Sequence, residues 1–193
     1  MDNIVIELFL LSIGASFVQR TTGFGFGIFI MTMLPSIMPS FGEATTLSGI
    51  LAMTTSLIIV SIYFAFFSKR IKVKTTLPVQ VTAGTLSGLM GGFFGMQGPP
   101  AVLYFVSSEP DKEHYLAMTQ TYFLAGNLMM TLARAYNGFF TTMVSIGYVY
   151  GIAGVFIGNL IGAWVFRHLS GSLLKYIIYA YIGISGLTFL LGA

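Results

Sequence analysis

An all-α, polytopic transmembrane helical bundle of about eight segments, with two repeats that each contain a broken helix, is the fold class this sequence predicts. Three observations predict it. The 193 residues are 55% hydrophobic and only 8% charged, with a mean hydropathy of +0.86, whereas a soluble domain carries roughly a quarter charged residues. Apolar runs follow one another along the chain, at or near the length that a ~30 Å hydrocarbon layer demands at ~1.5 Å per residue. Glycine- and proline-rich stretches interrupt this apolar sequence twice. At membrane depth such breaks are tolerated only where the freed backbone is buried in protein or lines a wet cavity.

The first run, Ile4 to Val18, has Glu7 near its start and ends at Gln19-Arg20-Thr21-Thr22. Gly23-Phe24-Gly25-Phe26-Gly27 follows, then the apolar run Ile28 to Leu34, closed by Pro35 and Pro39. Both runs fall short of a full span, and short glycine-interrupted segments point to discontinuous helices. Ala44 to Phe67 is long enough to cross outright and ends at Ser68-Lys69-Arg70-Ile71-Lys72-Val73-Lys74, the densest basic cluster of the chain. A helix from about Leu77 to Phe94 runs into Gly95-Met96-Gln97-Gly98-Pro99-Pro100. The two prolines lack N–H donors and restrict the residue before them, so that helix cannot continue. Ala101 to Val106 is a second short apolar piece, followed by a polar loop, Ser107 to His114. Tyr115 to Tyr136, with Asn127 and Arg134 in it, Thr142 to Phe166, and Leu173 to Leu191 complete the series.

The chain repeats itself at an offset of about 72 residues: Ser16…Gly23-Phe24-Gly25-Phe26-Gly27-Ile28 lies over Gly88…Gly95-Met96-Gln97-Gly98-Pro99-Pro100. A fainter echo sets Val81…Gly84…Gly88 over Val155…Gly158…Gly162, with the small-xxx-small spacing of close helix contacts. A unit of three segments has odd parity, so the two copies are expected to be inverted in the membrane, with their broken helices meeting near its midplane. The expected organisation is a single membrane transport domain over residues 1–193. Repeat A covers about 4–67, repeat B about 77–138, and closing helices about 142–191.

Positive charge is retained on the cytoplasmic side, which places the Lys69–Lys74 loop inside a cell membrane. A count of eight segments then puts both termini outside, and Arg20 and the Arg167–Lys175 loop inside. The Ser107–His114 loop also falls inside, without a basic excess. With no cysteine, disulfides and thiolate metal sites are excluded. Asp2, Glu7, Glu43, Glu109, Asp111 and Glu113 all sit at segment ends or in loops, which disfavours a pump built on buried carboxylates. Two histidines argue against a membrane metalloenzyme, and the spans offer no acid–base pair for an enzyme. No cofactor and no nucleic-acid partner are expected.

Gly91-Gly92-Phe93-Phe94-Gly95-Met96-Gln97-Gly98-Pro99-Pro100-Ala101-Val102-Leu103-Tyr104-Phe105 resembles the second-half signature of the TauE/SafE sulfite exporter family, also called the toluene sulfonate uptake permease family. Gly23-Phe24-Gly25-Phe26-Gly27 with Pro35 resembles its first-half counterpart, and Ala44-Thr45-Thr46-Leu47 the start of the helix after it. Gln97 stands where glycine is more usual, and little sequence lies between Lys74 and the second motif, where the family leads one to expect further spans. The resemblance implies a membrane protein that moves small anions, many of them sulfur oxyanions or organosulfonates.

A broken helix can hold an anion without an ionised side chain, because the first N–H groups of a helix lack internal partners and lie at its electropositive end. Helix starts after Gly27 and around Pro99–Pro100 are therefore expected to face a shared site. Gly23, Gly25, Gly27 and Gly98 would let backbone approach the ligand; the alternative is that they only let helices pack. Gln97 either binds substrate or caps its own backbone. Asn127, like Gln120 and Asn159, is a polar group in an apolar helix, more often an interhelical hydrogen bond than a ligand. Arg134 either faces the interior or snorkels to the interface. Arg20 either guards an anion path or anchors the inner face. The reading that results is a transporter of a small anion by alternating access, within a lipid bilayer, with room for a coupling proton or sodium ion and for a homo-oligomer. An anion channel and a non-transporting membrane subunit or sensor are the alternatives.

Overall fold

The computed structural model describes residues 2–67, 77–94 and 98–192. Gln97 and the basic cluster Lys69–Lys74 lie outside the described residues. Among those described there are nine helices and no strand: α1 (Asp2–Thr22), α2 (Phe26–Ile30), α3 (Leu34–Ile37), α4 (Phe41–Phe67), α5 (Leu77–Phe94), α6 (Pro99–Ser108), α7 (Lys112–Tyr136), α8 (Thr142–His168) and α9 (Gly171–Gly192). Three are long and apolar enough to cross a membrane on length and composition alone, over Ile4–Thr22, Phe41–Tyr63 and Thr142–His168.

The departure from eight segments lies in the run Ile28–Leu34, which forms two short helices. Pro35 sits in the first turn of α3. Without an N–H it cannot bond back to the carbonyl of Met31, so α2 cannot run through it. Pro35 thus opens a helix where the sequence pattern had it closing a run. The first helix also runs further than its apolar run, through Gln19, Arg20, Thr21 and Thr22, all of them buried. It stops at Gly23, whose φ of 88° is a left-handed conformation costly for any residue with a Cβ. Gly25, at φ 93°, is the N-cap of α2. That helix starts at Phe26, one residue ahead of Gly27, because Gly25 already accepts the first helical bond, from Phe29 N–H at 2.9 Å.

Contact register gives the helix directions. Gly154, Gly158 and Gly162 of α8 lie against Phe9, Ile13 and Phe17 of α1, so the two helices run parallel. Gly147 and Gly151 meet Leu47 and Leu51, and Asn159 donates to the Thr55 carbonyl, so α4 runs the same way. By contrast Gln120 pairs with Ser56 while Arg134 reaches the carbonyl of Thr45, which makes α7 antiparallel to α4. Arg134 also reaches the carbonyl of Gly91 at 3.4 Å, so α5 ends where α7 ends and runs with it. The α2–α3 stretch therefore carries the chain back from the end of α1 to the start of α4, and α6 carries it back from the end of α5 to the start of α7.

Two apolar clusters make up the interior. One packs Leu8, Leu11, Phe26, Ile30, Leu47, Leu51 and Val155 from α1, α2, α4 and α8. The other packs Phe24, Ile28, Val102, Val106, Phe123 and Ile178 from the first turn, α2, α6, α7 and α9. Phe24, Phe26 and Ile28 alternate between the two clusters, so the Gly23–Gly27 turn lies along their seam.

Candidate functional site

The end of α1 leaves carbonyl groups with no partner in their own helix, and α7 supplies donors for two of them. Tyr115 Oη donates to Thr22 O at 2.8 Å, and Gln120 Nε2 donates to Gly23 O at 2.5 Å. Gln120 is itself held: its Oε1 accepts from Gln19 Nε2 at 2.6 Å and from Ser56 Oγ at 2.9 Å. Gln19 Nε2 also donates to Ser56 Oγ at 2.8 Å. This network of two amides and a hydroxyl joins α1, α4 and α7 around the turn. With both amides essentially excluded from solvent, each bond replaces a costly unmet group.

Beside this network is a cavity of about 40 Å³, lined by Gln19, the stretch from Phe24 to Ile28, Ser48, Gly49 and Ala52 of α4, Gly98, and Phe123 and Asn127 of α7. A space of that size has room for roughly three waters, or one small oxyanion. Residues from both glycine-bearing motifs line it and lie close together: a Cβ added at Gly98 would sit 3.3 Å from the ring of Phe24. Among the described residues, no ionised side chain belongs to the lining. The first turn of α2 leaves the N–H groups of Phe26, Gly27 and Ile28 without intrahelical acceptors. With only five residues, α2 adds little macrodipole, so these local donors matter more than the helix field. The start of α6 contributes fewer donors than its ten residues suggest, because Pro99 and Pro100 have no N–H and the first bond is Val102 N–H to Gly98 O.

Of the residues singled out in the sequence, Gly25, Gly27, Gly98 and Asn127 come together at this cavity. Gly23 lies just behind it, packed on Tyr115. Pro99 and Pro100 form the first turn of α6. Arg134 does not line the cavity; its guanidinium donates to the carbonyls of Thr45 and Gly91 and approaches the Gly49 backbone, joining the start of α4 to the end of α5. Arg20 opens onto a different cavity, with Glu113 and Arg167. Gln97 lies outside the described residues.

Two polar lining residues were not singled out as candidates. Ser48 is buried and makes no hydrogen bond among the described residues, and Gln19 Oε1 is buried without a partner. The sequence shows Gln19 only as the polar end of an apolar run, and Ser48 only as one residue of the long run Ala44 to Phe67. The signal for both is a polar or small residue at a helical position where the pattern asks for a large apolar one.

Apolar helices that turn back at two glycine-bearing breaks, around a small cavity with no ionised side chain among its described lining residues, define a polytopic membrane helical bundle. The family follows from comparison: residues 44–189 match the family described as Sulfite exporter TauE/SafE, and the chain belongs to it. The matched span begins at Ala44, so it includes the second motif while the Gly23–Gly27 turn precedes it. Neither a curated protein nor a solved structure matches the chain.

Proposed function

We propose that this protein carries a small inorganic sulfur oxyanion such as sulfite or thiosulfate across a cell membrane, binding it in the 40 Å³ cavity where the two breaks meet. One observation carries the proposal: Gly25, Gly27, Gly98 and Asn127 converge on a space sized for such an ion. The N–H groups of Phe26, Gly27 and Ile28, the Ser48 hydroxyl and the Asn127 amide would hold the oxygens. A neutral donor set suits a carrier, since neither loading nor release requires breaking an ion pair. An aromatic sulfonate is too large for this conformation of the site.

Repeat A (about 4–67) and repeat B (about 77–138) would be the two bodies that rock during alternating access, with the break in each forming half of the site. The opposite directions of α4 and α7, and of the α1 and α5 helices that precede the breaks, support an inverted pair. The end of the bundle that holds Arg20, Glu113 and Arg167 would be cytoplasmic, with both termini outside. A proton or sodium ion would couple the cycle, and a homo-oligomer is compatible with it.

Counterflow in proteoliposomes tests the reading. Sulfite or thiosulfate preloaded inside should drive uptake of labelled sulfite, and Ser48→Ala with Asn127→Leu should abolish it while the protein remains folded. Absence of exchange for every small sulfur oxyanion, with folded protein in the membrane, would sink the proposal.

A further inference from the structure

Helix α8 belongs with α1 and α4. Its Gly154 and Gly158 lie against the α1 backbone, and its N-cap, Thr141, donates to Glu43 Oε1 in the first turn of α4 at 2.6 Å. Close packing of backbone on backbone leaves little play, so these three helices form one body. Helices α5, α6 and α7 form another. Arg134 of α7 donates to Gly91 O of α5, and Phe105 of α6 meets Tyr122 of α7 edge-on, with ring centroids 5.9 Å apart.

Two cations on α7 bridge these bodies, one at each end of that helix. At its start, Lys112 Nζ donates to the carbonyls of Phe166 at 3.0 Å, Arg167 at 3.3 Å and Leu169 at 2.8 Å, where α8 closes. In its last turn, Arg134 Nη1 donates to Thr45 O of α4 at 3.2 Å. At ~1.5 Å per residue the two lie about 33 Å apart, close to the thickness of the hydrocarbon layer. Among the described residues, neither cation meets a carboxylate of the other body. Glu113, 3.9 Å from Lys112, stands on the same helix, and Arg134 donates to carbonyls. Carbonyls at the end of α8 lack partners in their own helix, and water can replace Lys112 there. Such a bond can open without parting two buried opposite charges. Between the two ends, Gln120 meets Gln19 and Ser56, beside the cavity of about 40 Å³ that both bodies line.

We propose that Lys112 and Arg134 are the two gate latches of the carrier. Release of Lys112 lets the bodies part at its end of the bundle, release of Arg134 lets them part at the opposite end, and the amide network around Gln120 is the pivot. Both latches are closed in this structure. The proposal rests on the alternating-access reading above, but it concerns motion and not cargo, so its test needs no substrate.

The chain has no cysteine, so a single introduced one reports access. Ser48→Cys places it at the cavity, with Ala52→Cys as a second position. His168→Cys, exposed at the end that holds Lys112, identifies the membrane face of that end. A membrane-impermeant methanethiosulfonate reagent is added to right-side-out or inside-out vesicles, and labelling is read by intact mass. Added to Ser48→Cys, Lys112→Met should speed labelling about tenfold, the effect of losing one hydrogen bond to a charged group, and only from the face that labels His168→Cys. Arg134→Met should do the same from the other face only. Lys112→Arg, which keeps donors for the same carbonyls, should label as slowly as Ser48→Cys alone. Unchanged labelling in both variants, faster labelling from the same face in both, or the two faces exchanged would overturn the proposal. So would a rise from both faces at once, which is what mere loosening of the bundle produces. If Arg134→Met does not reach the membrane, the Lys112 arm decides alone, one face against both. Failure of sulfite counterflow would leave the labelling pattern standing, and sulfite exchange without that pattern would remove the latches alone.

Discussion

Helix α8 carries Gly154, Gly158 and Gly162, and α5 carries Gly84, Gly88 and Gly92, so two apolar helices share the same four-residue glycine spacing. In α8 every one of these glycines is in contact with α1. A Cβ at Gly154 would collide with the carbonyl oxygen of Phe9, one at Gly158 with that of Ile13, and one at Gly162 with Arg20 and Phe17. In α5 a Cβ at Gly84, Gly88 or Gly92 would meet nothing within 4 Å among the described residues. The spacing is therefore permission for close approach, and only the neighbour decides whether it is used. Gly23 and Gly25 of the first break form a third case, in which conformation and crowding act together.

The largest effect should come from the seam between α1 and α8. Gly158→Ala sets a methyl group against backbone, which cannot rotate away as a side chain can. A cost at the top of the usual overpacking range, about 3 kcal/mol, is expected. It should appear as lost folded yield or a sharply lower melting temperature in detergent. A melt indistinguishable from wild type would mean that the two helices do not approach as closely as described.

Gly25→Ala comes next. At φ 93° an L residue pays about 1–2 kcal/mol for its left-handed conformation, and the new Cβ would also lie 2.6 Å from the ring of Tyr181. Tyr181 is a side chain and can give way, so the stability loss should fall below that of Gly158→Ala while counterflow is lost as the turn reshapes the cavity. Gly98→Ala sharpens the contrast, because its φ of −75° carries no strain and its Cβ would only crowd Phe24 at 3.3 Å. Here stability should fall by less than about 1 kcal/mol, with counterflow reduced severalfold because Phe24 must move into a space of 40 Å³. Normal transport by the Gly98 variant would remove that cavity from the pathway.

Much of this architecture was legible in the sequence because composition and periodicity speak directly to burial. The long helices and the interruptions at Gly23–Gly27 and before Pro99–Pro100 followed from where apolar sequence is broken. The sequence could not reveal which side chains face which. Arg20 and Arg134 look alike in the chain, each a cation next to apolar sequence, yet one lines a cavity and the other clamps two carbonyls. Gln120 was rightly weighed as an interhelical bond, but its partner Gln19 lies 101 positions away, beyond the reach of any local pattern. Pro35 was misread as a terminator because a proline that ends one helix is equally suited to begin the next.

The one effect of opposite sign belongs to α5. With open space where its Cβ would go, Gly88→Ala has no clash to set against the gain in helix propensity. That gain is about 1 kcal/mol for alanine over glycine in a helix interior, acting largely through the freedom removed from the unfolded chain. The variant should melt slightly higher than wild type and transport normally, which would make it the inverse of Gly158→Ala at the same place in the glycine spacing. A destabilised Gly88 variant, with loss comparable to that at Gly158, would require another surface to be pressed against α5. It would turn the contrast between the two helices into a likeness.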